Sequence, residues 1–115
     1  GHIGARSAAN LPVNRGFDHH FGFLSGGEDH MTQRSYETKN YVDLWSQTAP
    51  AYGKNGTYSC DLYTDDALNV INDHDTSAPL FMYLAHHDVH SPYETTAKWT
   101  NNTISSCYRR ISVRC

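Results

Sequence analysis

One stretch of the sequence, residues 80–92, constrains the fold more than any other. It begins as an unbroken apolar run over residues 80–85, continues through three histidines and an aspartate, and closes with a Ser-Pro pair. A short apolar run bounded by turn residues is typical of a strand buried on both faces, as in a parallel sheet. A helix would also fit so short a run, but a proline on each side argues against it. We therefore expect a buried strand over residues 80–85.

The polar end of this stretch contains the candidate site residues His86, His87, Asp88 and His90. In open α/β sheets, ligands bind beyond the carboxyl ends of the strands, which is where these residues fall. In an extended strand, residues 86, 88 and 90 would share one side and could converge on a metal ion. They could instead be a strand end satisfied by hydrogen bonds, or contact an anionic substrate and protonate its leaving group. Spacing alone leaves these three interpretations open.

Residues 61–72 show the clearest helical pattern. The apolar positions that recur at helical spacing are Tyr63, Ala67, Val70 and Ile71. Asp61 or Thr64 could cap the start of this helix, and Asp65 and Asp66 suit the positive end of its macrodipole. A helix followed by a tight turn and a buried strand is half of a βαβ unit, so the pattern predicts an α/β fold.

The rest of the chain has weaker patterns. We predict a short strand within residues 17–24, mostly loop with short strands over residues 31–59, and a short helix within residues 93–99. The pair His19-His20 lies between aromatic residues and is interpreted as structural. The triplet Glu28-Asp29-His30 follows two glycines, so we expect a solvated loop there.

Composition limits the partners and the completeness of the domain. The net charge of −3 gives no electrostatic footprint for nucleic acid, and there is no apolar run of membrane length. We therefore expect neither a nucleic-acid nor a membrane partner. A hydrophobic fraction of 38% over 115 residues is low for a self-sufficient α/β core. The chain is accordingly interpreted as a fragment of a larger domain.

Cysteines and sequons indicate the cellular compartment. The three cysteines, Cys60, Cys107 and Cys115, are an odd number without metal-ligand spacing, so at most one internal disulfide can form. Two N-glycosylation sequons begin at Asn55 and Asn101. The first lies in a polar loop that contains glycine, where a glycan could be accommodated. These features favour a secretory-pathway origin.

Several segments, taken in order, resemble one family. They are Gly1-His2-Ile3-Gly4, Arg15-Gly16-Phe17-Asp18, residues 21–26, residues 58–59 with 61–71, and residues 79–85 with Val89-His90-Ser91-Pro92. Together they resemble the type I sulfatases, and the loop Gly26-Gly27-Glu28-Asp29 is similar to arylsulfatase B-like (N-acetylgalactosamine-4-sulfatase-like) members. The resemblance covers residues 1–99, which predicts a partial sulfatase catalytic domain there. Residues 100–115 depart from the family pattern and are interpreted as a divergent tail.

The resemblance implies an alkaline-phosphatase-like α/β fold with a mixed or parallel sheet. It also implies hydrolysis of sulfate esters, with sulfated glycosaminoglycans as candidate substrates, in a lysosomal or secreted enzyme. In the family, a formylglycine attacks sulfur beside a calcium ion. His2 matches the catalytic histidine that hydrogen-bonds the formylglycine, and His90 matches the one that binds the sulfate and can protonate the leaving oxygen. The nucleophile and calcium ligands have no counterpart here, so this chain alone is expected to be inactive.

Two alternatives remain open. A related phosphodiesterase or phosphonate hydrolase would use a similar fold with other metal ligands. A catalytically inactive, secreted sulfatase-like binding module could use the basic tail to contact a polyanion. Retention on a heparin column that disappears with moderate salt would favour the binding module, because such contacts are screened.

Overall fold

The structure, a computed structural model, describes residues 4–37 and 40–100. In chain order its elements are two 3-10 turns (Ala8–Asn10 and Pro12–Asn14), strands β1 (Phe21–Gly22), β2 (Trp45–Ser46) and β3 (Ala49–Pro50), and helices α1 (Ser59–Asp73) and α2 (Ala97–Thr100). Only α1 is long, so loops form most of the structure around it. The predicted tail lies almost wholly outside the described residues, and its boundary stays a prediction.

Helix α1 confirms the prediction of a helix over residues 61–72 and begins two residues earlier. Its buried face includes Tyr63 and Ala67, as the helical spacing predicted, whereas Val70 is only half-buried and Ile71 is 51% exposed. The two cap candidates were wrong. Asp61 lies inside the first turn, and the hydroxyl of Thr64 donates to the carbonyl of Cys60 at 2.7 Å. The earlier start explains the difference, because both residues then lie beyond the capping position.

The three strands form a small antiparallel sheet in the order β1-β2-β3. Phe21 pairs with Ser46, and Trp45 pairs with both Gly22 and Pro50. The sheet contacts α1 through Phe21 and Tyr63, whose ring centroids are 5.9 Å apart at 71°. These strands confirm the prediction of short strands within residues 17–24 and 31–59. In the described part of the chain the sheet is antiparallel, whereas the sequence predicted a mixed or parallel one.

The prediction of a buried strand over residues 80–85 was wrong. This segment has irregular backbone, and Phe81 and Tyr83 are 79% and 66% exposed. A buried strand needs neighbouring strands for its backbone groups and cover on both faces. Among residues 4–37 and 40–100, no strand pairs with residues 80–85. The ring of Phe81 does contact Phe17, with centroids 6.3 Å apart.

Helix α2 confirms the short helix predicted within residues 93–99, although it begins only at Ala97 and extends to Thr100. Its Lys98 ammonium lies 3.1 Å from the carboxylate of Asp61 in the first turn of α1. Both partners are partly exposed, so this ion pair contributes little to stability. It shows that the chain after residue 92 returns to the start of α1.

The core combines a few apolar side chains with an unusual number of polar ones. The buried apolar residues include Leu11, Leu44, Tyr58, Tyr63 and Ala67, and the fully or nearly fully buried polar residues are Glu28, His30, Gln33, Ser35, Asp43, Ser59 and His87. The loop predicted to be solvated, residues 28–30, is therefore partly buried. Its prediction was wrong because residues far away in the sequence cover it: the Tyr63 hydroxyl binds Glu28, and the rings of Tyr58 and His87 lie against His30.

The side chain of Asp29 provides a hydrogen-bond acceptor for backbone amides of this partly buried loop. Its Oδ1 atom accepts hydrogen bonds from the Met31 and Thr32 amides at 3.1 and 2.7 Å and from the Thr32 hydroxyl at 2.8 Å. Such a side chain replaces a partner that a turn amide would otherwise take from water. These hydrogen bonds hold the turn together. The side chains of Glu28 and His30, on either side of Asp29, point inward and are fully buried.

Leu44 provides a test of this small core. Its side chain is fully buried, whereas Leu68 on α1 is 51% exposed. We expect Leu44→Ala to lower the free energy of unfolding by about 2–5 kcal/mol, because it removes packed methyl groups and leaves a cavity. Leu68→Ala is the matched control, with an expected loss below about 1 kcal/mol. Urea unfolding followed by circular dichroism measures both, and equal losses would contradict this description of the core.

Candidate functional site

Three side chains that commonly bind metals meet beside the start of α1. They are His30, Cys60 and Asp88, and one donor atom from each lies within 4.8 Å of the other two. The Nδ1 atom of His30 is 3.4 Å from Oδ1 of Asp88. His30 and Cys60 are buried, whereas the side chain of Asp88 is 35% exposed. The cluster therefore has a buried side and a side open to solvent.

A row of aromatic rings borders this cluster. The ring of His30 lies between Tyr58, at a centroid distance of 5.7 Å, and His87, at 4.1 Å and an interplanar angle of 7°. The row continues from His87 to His90 at 5.7 Å, and Phe23 contacts His87 at 5.0 Å. Burial, together with the neighbouring His30 and His90, lowers the pKa of His87 to about 4. His87 is therefore neutral near pH 7.

Tyr58 and Glu94 hold the cluster in place. The Tyr58 hydroxyl donates to Oδ1 of Asp88 at 2.7 Å and lies 3.0 Å from the carbonyl oxygen of Glu94. Burial and the bond to Asp88 raise the pKa of Tyr58, so it remains a donor. The Glu94 carboxylate accepts a hydrogen bond from the His30 amide at 3.0 Å. The segment of residues 88–94 is thus attached both to the start of α1 and to the buried loop.

Burial also keeps Cys60 protonated. Burial and a hydrogen bond to Asp88 raise the pKa of the Cys60 thiol to about 12. A thiol is a poor nucleophile until it is deprotonated, so Cys60 is not an activated nucleophile near neutral pH. It is a free cysteine among the described residues.

A second buried polar pair, Glu28 and Tyr63, lies on the face of α1 that contacts the sheet. The Tyr63 hydroxyl donates to Oε1 of Glu28. Burial raises the pKa of Glu28 to about 7, against the opposing effect of hydrogen bonds from Tyr63 and Ser59. Burial likewise raises the pKa of Tyr63, with the nearby Glu28 as the next cause. Glu28 is therefore protonated and neutral below about pH 7.

His90, the last ring of the aromatic row, is exposed on a loop. Its Nδ1 atom lies 2.7 Å from the carbonyl oxygen of Ser91. A carbonyl oxygen only accepts, so Nδ1 carries the proton of this hydrogen bond. This leaves Nε2 as the ring nitrogen that can contact another group. The role predicted for His90 stays a prediction.

The shared metal site suggested for His86, Asp88 and His90 is not formed in the described residues. These three side chains would share one side only in a strand, and this segment is not a strand. Asp88 instead joins two residues that lie 58 and 28 positions before it, His30 and Cys60. Neither His30 nor Cys60 is predicted as a site residue by the sequence, since their spacing follows no ligand pattern. The pairing of Asp29 with Thr32 three residues later was the one local signal that this loop is ordered.

The remaining predicted site residues are placed as follows. Asn55 lies in an exposed turn, where the Thr57 amide donates to the carbonyl of Lys54 at 3.0 Å. His2 and Asn101 lie outside the described residues. His19, interpreted as structural, contacts Asp66 of α1, with Nε2 and Oδ2 2.8 Å apart. In the described part of the chain, no helix is long and apolar enough to cross a membrane.

Comparison with known proteins identifies the class of this chain. The sequence profile of the Sulfatase family matches residues 2–110. The chain therefore belongs to the sulfatase family, a family of sulfuric ester hydrolases, and the predicted resemblance is confirmed. Among curated relatives, Arylsulfatase J of Mus musculus is 33% identical over 101 residues. The match covers 85% of this chain but only 17% of that relative.

The Glu28 carboxyl generates a prediction about pH and stability. Because the fold raises its pKa from 4.5 to about 7, the fold binds a proton that the unfolded chain releases in this range. Stability contributed by protonated Glu28 is therefore full below pH 4.5 and is lost as the pH rises to about 7. Glu28→Gln, which is neutral at all pH values, should remove this loss.

The measurement is the free energy of unfolding of both proteins at pH 4.5 and pH 7.5. Between pH 4.5 and pH 7.5, we expect the free energy of unfolding of Glu28→Gln to rise by about 3 kcal/mol relative to that of the unsubstituted chain. Comparison at matched pH cancels the opposite trend from His87, whose lowered pKa favours the fold at higher pH. Glu37→Gln is the control, since it makes the same change at an exposed position. A constant difference between the original chain and Glu28→Gln would refute the assignment.

Proposed function

We propose that this chain forms part of the catalytic domain of an arylsulfatase-type sulfuric ester hydrolase. The observation that carries the proposal is the position of His90 on an exposed loop, with Nδ1 bound to a backbone carbonyl. This leaves Nε2 available to a substrate. Membership of the sulfatase family and the similarity to an arylsulfatase support the reaction class.

The geometry of His90 suits contact with a sulfate ester. When the ring is protonated, its Nε2–H can donate to a sulfate oxygen or to the oxygen of the leaving alcohol. A charge-assisted hydrogen bond of this kind is strongest where negative charge develops in the transition state. The ring neighbours His87, which is neutral near pH 7 and so adds no competing positive charge. We assign His90 to substrate binding and protonation of the leaving group.

Calcium and formylglycine do not fit the described residues. The group of metal-ligating side chains found among residues 4–37 and 40–100 combines imidazole, thiol and carboxylate, whereas calcium binds six to eight oxygen atoms. No Cys/Ser-x-Pro-x-Arg motif occurs within these 115 residues. We propose that the nucleophile and the calcium ligands belong to other parts of a longer protein. We propose that His2 is the second catalytic histidine, which would hydrogen-bond the formylglycine there.

The remaining features of the proposal follow from the family. The longer protein would have an alkaline-phosphatase-like fold, act on sulfated glycosaminoglycan sugars or related sulfate esters, and be lysosomal or secreted. A glycan on Asn55 is consistent with this location, because Asn55 is exposed in a turn. Asn101 is the second proposed glycosylation site.

The isolated chain should not hydrolyse sulfate esters. It has no formylglycine motif, so the attack on sulfur cannot take place within it. We expect no turnover of an aryl sulfate by the purified 115-residue chain above the level of a heat-denatured sample. Turnover that tracks the purified chain through chromatography would disprove this division of the active site.

The role of His90 is testable in the longer protein that contains this chain. Sequencing the transcript upstream of Gly1 should reveal a Cys/Ser-x-Pro-x-Arg motif and a Gly-Lys that runs into His2. In that protein we expect His90→Ala to lower kcat/KM at least about 100-fold, the usual scale for loss of a general acid. His86→Ala is the matched control, because His86 is exposed on the same loop and should change kcat/KM little.

The leaving group separates the two functions assigned to His90. If His90 protonates the leaving oxygen, the loss in His90→Ala should be greater for a sugar sulfate than for a nitrophenyl sulfate, which needs no proton. Equal losses of kcat/KM on both substrates would mean that His90 binds the sulfate but does not protonate the leaving oxygen. A loss no larger than that of His86→Ala would exclude His90 from the active site.

A further inference from the structure

We infer that His30, Cys60 and Asp88 form a binding site for Zn²⁺, separate from the calcium expected of the sulfatase family. The three residues come from the buried loop, the first turn of α1 and the segment before His90. This inference does not rest on the proposed hydrolysis. It concerns residues that the proposed reaction does not use.

The distances between the donor atoms are close to those of a tetrahedral site. Ligand atoms bound to Zn²⁺ at 2.0–2.3 Å lie about 3.3–3.8 Å from one another in a tetrahedron. The pair His30 Nδ1 and Asp88 Oδ1 is already 3.4 Å apart. All three donor atoms lie within 4.8 Å of one another, so closing the site requires movements of about 1 Å. Side-chain rotation alone can supply such a movement.

The state of His30 independently indicates a ligand. Its side chain is 1% exposed, and neither ring nitrogen has a hydrogen-bond partner. Buried polar atoms are nearly always paired, whereas Nδ1 of His30 lies 3.4 Å from the Asp88 carboxylate and makes no hydrogen bond. Coordination through Nδ1 would satisfy the nitrogen that is aimed into the cluster.

The donor set selects the metal. A thiolate, an imidazole and a carboxylate together suit Zn²⁺, whereas calcium and magnesium prefer oxygen ligands alone. On binding, the S–H bond of Cys60 breaks, a Zn–S bond forms, and the proton passes to solvent. Because Asp88 is 35% exposed, the cluster is accessible from solvent, which provides an entry path and room for water as a fourth ligand.

Neighbouring groups would orient the site. The Tyr58 hydroxyl holds Oδ1 of Asp88 at 2.7 Å, and hydrogen bonds of this kind fix the direction of ligating carboxylates. His87 covers the face of His30 at 4.1 Å with nearly parallel rings. A metal bound to His30 would lie in the plane of the His30 ring. The ring nitrogens of His87 point along a separate, nearly parallel plane, so His87 is a neighbour of the site and not a ligand.

The test uses Co²⁺ as a spectroscopic probe and Zn²⁺ for affinity. The parent protein is the 115-residue chain with Cys107→Ser and Cys115→Ser, which leaves Cys60 as its one thiol. We expect a thiolate-to-cobalt charge-transfer band and tetrahedral visible bands at one equivalent of Co²⁺, all abolished by Zn²⁺. Zn²⁺ at 100 times its Kd should also shift the unfolding equilibrium about 100-fold toward the folded state.

Single substitutions locate the metal. Cys60→Ser should abolish the charge-transfer band, and Asp88→Asn should weaken Zn²⁺ binding at least tenfold in calorimetry. Asp88→Asn keeps an oxygen for Tyr58 and so guards against the possibility that a variant merely fails to fold. Asp75→Asn is the control for loss of one exposed carboxylate and should leave affinity unchanged.

Several outcomes would overturn the inference. They are the absence of a charge-transfer band in a parent protein that shows the helical circular dichroism of α1, octahedral cobalt spectra, or equal affinities in Asp88→Asn and Asp75→Asn. Binding of Ca²⁺ that displaces Co²⁺ would also contradict it. None of these results depends on sulfate hydrolysis, so failure here is distinct from failure of the proposed function.

Discussion

The carbonyl oxygen of His30 is the acceptor on which the rest of the structure depends. It receives hydrogen bonds from the Ser59 amide at 2.8 Å, the Ser59 hydroxyl at 3.0 Å and the Gln33 side chain at 3.2 Å. The first amides of a helix have no partner within the helix. The buried loop therefore takes the place of a capping side chain at the start of α1. Helix and loop therefore stabilise each other, because the loop accepts the Ser59 amide and the Tyr63 hydroxyl of the helix binds the buried Glu28.

That junction also positions the loop of His90. The Tyr58 hydroxyl contacts Asp88 and Glu94, and the Glu94 carboxylate accepts a hydrogen bond from the His30 amide. These contacts cross 30 or more positions of sequence at the point where α1 begins. This suits the role proposed for His90, because a side chain that meets a substrate at a fixed angle is best carried by a segment with such attachments. His90 is exposed, but the backbone on each side of it is held.

Local patterns could predict only part of this arrangement. The helical spacing of Tyr63 and Ala67 predicted α1, because a buried helix face repeats every three to four residues. The buried loop was missed, since a run of charged residues after glycines resembles solvated loop unless its distant partners are known. The strand expected over residues 80–85 was wrong for a related reason. Its apolar side chains would be buried in a strand only if neighbouring strands and cover on both faces were present. Residues 4–37 and 40–100 provide neither.

The order of motifs was more informative about function than the pattern of any single segment. The sulfatase resemblance is confirmed by the family match, although no periodicity or charge pattern in the chain indicates sulfate chemistry. The cluster of His30, Cys60 and Asp88 could not be found in the same way. Its members are separated by 30 and 28 positions, so only the folded backbone brings them together.

The exposed apolar segment has a consequence for handling the protein. Residues 80–85 contain no charge and no proline, and large side chains such as Phe81 and Tyr83 face solvent. Uncharged apolar segments with unpaired backbone groups are templates for intermolecular β-pairing. The isolated chain should therefore self-associate as its concentration rises. These six residues are the part of the described chain for which cover by further protein would remove the most apolar surface from water.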